Sequence, residues 1–111
     1  MSILDPQKID IVATRPDSAI VKLVIADHLD WGDLDAHAKL IQAKVNTYLE
    51  FVESGQLMRV KTPEIPKSPD ICIVLALEHA PTQEALAFIG KVAAFLKDAG
   101  LKFETEMRGQ E

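Results

Sequence analysis

The apolar residues of this chain change rhythm twice. Segments repeating every two residues give way to segments repeating every three and four, and the pattern then recurs. A repeat of two places alternate side chains on opposite faces of a strand, whereas three and four trace one stripe of a helix. The chain must therefore build a sheet and helices that each bury one side.

Ile9–Thr14 alternates, with Ile9, Ile11 and Ala13 on one face. Arg15–Ser18 contains Pro16, whose fixed backbone dihedral suits the second position of a turn. Ile20–Ala26 is rich in β-branched residues, with Val21, Leu23 and Ile25 on one face, so the two runs read as a β-hairpin. Over Asp33–Ser54 the period lengthens, and Leu34, Ala38, Ile41, Val45, Tyr48, Leu49 and Val52 form a helical stripe. Asp33 or Asp35 is placed to cap its start, and Gly55 to end it by taking the left-handed conformation.

Pro63, Pro66 and Pro69 bar regular structure between Gln56 and Asp70, although Leu57–Lys61 is compatible with a short edge strand. Ile71–Glu78 is apolar on both faces and reads as a central strand. A second helix starts near Pro81, carries the stripe Ala85, Phe88, Ile89, Val92, Phe95, Leu96 and Ala99, and stops at Gly100. Lys102–Arg108 alternates with charge and belongs at a sheet edge.

The order is β-β-α-β-α-β. One-sided helices on right-handed crossovers land on one face of the sheet. The expected fold is α+β, a two-layer sandwich in which two helices cover one mixed four-stranded sheet with strands in the order 1-2-3-4. A ferredoxin-like arrangement, using residues 57–61 as a strand, is the alternative. All 111 residues fit a single domain, 1–111.

The sheet's second face is then left with Val12, Ile20, Val24, Cys72, Val74 and Ala76, an apolar group broken by Lys22 and Glu78. A mixed patch of this kind marks a subunit interface. Leu40 and Phe51 fall about 60–80° outside the first helix's stripe at 100° per residue and extend the candidate surface. Self-association as a homodimer is the expected state.

With 48% hydrophobic and 26% charged residues the composition is globular, and a net charge of −5 opposes broad contact with nucleic acid or anionic membranes. Cys72, the single cysteine, permits no intrachain disulfide and no cysteine-based zinc site, which fits a reducing cytoplasm. Met1–Lys8 shows no secretory signal, and no apolar run is long enough to span a bilayer.

Polar chemistry gathers between Asp27 and His37. If the strands from Ile20 and Ile71 run parallel, Asp27, His28, Asp30 and Trp31 meet Glu78 and His79 at one rim, where ligand sites favour the carboxyl ends of parallel strands. His28, His79, Asp27 and Glu78 have the ligand chemistry for a divalent metal, although their spacing matches no established metal motif. No cofactor is otherwise expected, and Ser54 and Ser68 lack any nucleophile context. Trp31 reads as a cover over the end of the core, its indole N–H reaching a polar partner.

Ile25–Trp31, containing Asp-His-Leu-Asp-Trp, then His37, then Val45–Leu57 resemble segments of a family of small uncharacterised bacterial proteins, a domain of unknown function. Weaker likeness continues through the strand from Ile71 and the helix Pro81–Gly100, so most of the chain is covered. The loop Met58–Asp70 departs from it. The resemblance implies a bacterial cytosolic setting and carries no catalytic residue with it. Two functions compete: a non-enzymatic binding or protein-interaction module, taking an unknown protein or small molecule, and a small enzyme or metal-binding protein using the rim.

Overall fold

A computed structural model of the chain describes residues 3–4, 9–14, 19–60, 65–66 and 69–108. The elements are β1 (Ile11–Thr14), β2 (Ile20–Asp27), α1 (Leu34–Glu53), a 3-10 turn (Gln56–Arg59), β3 (Asp70–Leu77), α2 (Gln83–Asp98) and β4 (Lys102–Met107). They form one four-stranded sheet in the order β1-β2-β3-β4. β1 is antiparallel to β2, while β2, β3 and β4 run parallel. This is the α+β arrangement expected from the change of period. The proline turn at residues 15–18 lies outside the described residues.

The two helices pack on the same face. Val21, Leu23 and Ile25 of β2 and Ile73, Leu75 and Leu77 of β3 meet Ile41, Val45 and Tyr48 of α1 and Ala85, Ile89, Val92 and Leu96 of α2 in one buried cluster. Asp33 caps α1, its carboxylate accepting from the Ala36 N–H at 3.1 Å. Thr82 caps α2 through Ala85 N–H at 3.1 Å, so Pro81 precedes the cap and lies outside the first turn. Gly55 and Gly100 both adopt φ of 83°, which releases the chain from each helix end without a Cβ clash.

Two expectations are corrected. Gln56–Arg59 is a 3-10 turn and not an edge strand. Gly55 reverses the chain, Leu57 plugs into the core, and the backbone closes locally through Met58 N–H to Gly55 O and Val60 N–H to Leu57 O, each at 3.1 Å. With β1 and β3 flanking β2, the ferredoxin-like alternative also falls. The second correction concerns β1. Ile11 stands opposite Val24 and Val12 opposite Leu23. Antiparallel partners share a face, so Val12 packs on the helix-covered side and Ile11 takes the place expected for it.

The second face holds Val24, Cys72, Val74 and Ala76, with Ile11 packed against them. These four are buried within the single chain, Val74 completely. Lys22 Nζ reaches Glu104 Oε1 at 3.1 Å, from β2 to β4, and so passes over β3. Ile20 at the start of β2 is exposed, whereas Leu40 and Phe51 are half-buried against the main core. Burial, reinforced by the nearby Glu104 charge, raises the Cys72 thiol's pKa above its usual value, which keeps it protonated and unreactive.

Candidate functional site at the strand ends

The parallel register sets Asp27 level with Leu77, and Glu78 N–H donates to Asp27 O at 3.0 Å. His28 and His79 therefore leave their strands at the same end of the sheet, as the rim requires. Side-chain direction then divides the six candidates. His28, Asp30, Glu78 and His79 are exposed, while Asp27 and Trp31 are buried.

Asp27 turns inward to the third histidine. Its Oδ2 lies 2.5 Å from His37 Nε2, and its Oδ1 accepts from Leu29 N–H at 3.1 Å. His37 Nδ1 lies 2.9 Å from Asp30 O. A carbonyl oxygen only accepts, so Nδ1 is the donor in that hydrogen bond. Trp31 stacks on the imidazole at 3.8 Å between centroids, and its Nε1–H donates to His79 O at 3.0 Å. The packing role expected for Trp31 agrees with this geometry. One joint thus ties the β2–α1 connection to α1 and to the β3–α2 connection.

That joint has the parts of a carboxylate–histidine pair, but both ring nitrogens are engaged and neither faces solvent. Asp30, although exposed, has its Oδ1 engaged within its own loop, accepting from Gly32 N–H at 2.9 Å. A Cβ at Gly32 would stand 3.2 Å from that oxygen. Among the described residues, no group of three or more His, Cys, Asp or Glu side chains comes together to hold a metal ion.

A second polar site, unforeseen from the sequence, lies beneath β1. Lys44 Nζ meets Asp10 Oδ1 at 2.7 Å with both side chains buried. Asp10 Oδ2 accepts from Ala26 N–H at 3.0 Å, two residues beyond Val24 at the end of the β1–β2 pairing, and Ile3 N–H donates to Ala26 O at 2.9 Å. The carboxylate stands in for a missing strand partner. Asp10 N–H donates to the Tyr48 hydroxyl at 2.8 Å, and that hydroxyl donates to Val24 O at 2.6 Å. Burial, with the Asp10 charge adding, holds the Tyr48 phenol well above its ordinary pKa.

The signal for both polar sites is in α1. His37, Lys44 and Tyr48 are separated by seven and four residues, so all three lie on the buried stripe. A histidine and a lysine there require internal acceptors, and Asp27 and Asp10 supply them. Among the described residues, no buried side-chain nitrogen or oxygen is without a hydrogen-bond partner.

Fold and joint together define a small two-layer α+β protein whose buried polar side chains, among the described residues, are all hydrogen-bonded. The chain belongs to a family of unknown function, DUF6572, whose match runs over residues 1–109. No curated protein and no solved structure is significantly similar to it. Among the described residues no helix is long and apolar enough to cross a membrane.

Proposed function

We propose that this protein acts by binding and not by catalysis, as a small interaction module that pairs with a copy of itself. The observation that carries the reading is the composition of α2. From Ala85 to Leu96 the only polar side chain is Lys91, yet Ala85, Ile89, Val92 and Leu96 alone are buried. Leu86 and Phe95 remain 54% and 51% exposed on opposite flanks. A helix apolar on nearly every side is one that expects cover on more than one face. The expected interface on the sheet's second face has less support, because Val24 and Val74 are already buried within the chain. Light scattering at micromolar concentration tests the reading. It predicts twice the chain mass of 12.2 kDa, and a single-chain mass contradicts it.

A second reading, a divalent-metal or small-enzyme role, draws support from the parallel pairing of β2 and β3. That pairing gathers Asp27, His28, Glu78 and His79 at one end. Elemental analysis of untagged protein and titration with zinc and manganese test it. Absence of bound metal together with an unchanged melting temperature removes the metal version.

A further inference from the structure

Resting on the self-association reading, we infer that the second copy joins at the edge of β4, antiparallel, with a two-fold axis at Phe103, so that two sheets continue as one of eight strands. Among the described residues β4 pairs with β3 only, at the end of the strand order. Arg108 N–H donates to Leu77 O at 2.7 Å, which fixes the direction of the backbone groups along this strand. Because those groups alternate, residues 102, 104 and 106 turn N–H and C=O toward β3, while Phe103 and Thr105 turn theirs outward. An outward N–H and C=O on Phe103 form the hydrogen-bonded pair that a two-fold at that residue requires.

The side chains are complementary in this register. With Phe103 opposite its own copy, Lys102 stands opposite Glu104 of the second copy, twice over, in the closely spaced non-hydrogen-bonded pairs. A two-fold at Glu104 would set that carboxylate against itself, and one at Thr105 would oppose Glu104 to Glu106. Charge on an edge strand usually discourages pairing. Here the charges run Lys102, Glu104, Glu106, Arg108, so a two-fold at Phe103 opposes Lys102 to Glu104 and one at Met107 opposes Glu106 to Arg108; the first also sets α2 beside its copy, because α2 ends where β4 begins.

The helix layer fits the same approach. Leu86, Gly90, Ala93 and Lys97 form one row of α2, since they are four, three and four residues apart. Ala93 and Lys97 line a groove of about 450 Å³ with Leu101 and Phe103 on the β4 side. Gly90 is unfavourable within a helix, and a Cβ there would meet nothing within 4 Å in its own chain. Continuing the sheet brings the second copy's α2 alongside this row, where the small residues admit close approach and Leu86 is covered.

The test uses the full chain and two charge variants, Lys102→Glu and Glu104→Lys, with folding checked by circular dichroism. Each variant alone opposes like charges in the register and should weaken self-association roughly tenfold or more. The first variant carries two acidic side chains at these positions and the second carries two basic ones. Mixed in equal amounts, they set acid against base at both cross-strand pairs, and dimer should return as the heterodimer. Thr105→Pro, which removes an outward N–H, should also weaken association. A dimeric wild type whose affinity none of these changes alters, or a mixture that fails to recover, overturns the edge assignment and leaves self-association standing. A monomeric wild type overturns both.

Discussion

Lys44 and Asp10 meet where water does not reach, and neither can lose its partner cheaply. Lys44→Met should destabilise the fold by about 3–5 kcal/mol, because it leaves a buried carboxylate without its counter-charge. Chemical denaturation measures this, and a loss below about 1 kcal/mol would show that the pair is not buried in solution. Tyr48, the only tyrosine, is a direct probe of the same site. Its neutral form is favoured by folding, so the native chain holds the phenolic proton where the unfolded chain loses it. Its contribution is therefore complete below the ordinary value of 10.0 and is lost as pH rises beyond it toward the raised native value. Ultraviolet titration should show no phenolate in the native protein at a pH where the urea-unfolded chain is largely ionised. Coincident titrations would contradict the burial. Tyr48 was legible as a core residue from its place on the stripe. Lys44 and His37 share that stripe, but a polar residue on a helix defaults to solvent until its acceptor is known. Asp10, 34 residues away, becomes an acceptor only once β1 is in place.

At the scale of elements, the period of the apolar pattern was enough to read both helices, β2, β3 and β4. β3 is the clearest case, apolar on both faces in sequence and central in the sheet. Leu75, fully buried between the helices and the neighbouring strands, should cost about 2–5 kcal/mol when cut to alanine. A change well under 1 kcal/mol would contradict its interior position. What the pattern could not supply was pairing offset. Whether Val12 or Ile11 faces the helices depends on which residue stands opposite Val24, and a four-residue strand has too few apolar positions to decide it. The segment after α1 escaped for a different reason. Leu57 is as apolar as a strand residue, but Gly55 has already turned the chain under the helix, so Leu57 is buried as a plug and its backbone bonds close within the turn.

For the molecule as a whole, two helices roof one face of a mixed sheet. The other face is closed at its centre by small and branched residues beneath the Lys22–Glu104 bridge. The strand ends converge where the sequence places the rim, and there Asp27 and Trp31 turn inward onto His37. Among the described residues, α2 is apolar beyond its core stripe and the β4 edge has backbone groups directed outward. The central claim is that a second copy occupies this edge. Amide hydrogen exchange at Phe103 and Thr105, compared between a concentrated and a highly diluted sample, tests it most directly. Both amides should be protected in the concentrated sample and exchange freely on dilution, while the amides of β3 stay protected throughout. Exchange at Phe103 and Thr105 that does not change with concentration would contradict the account.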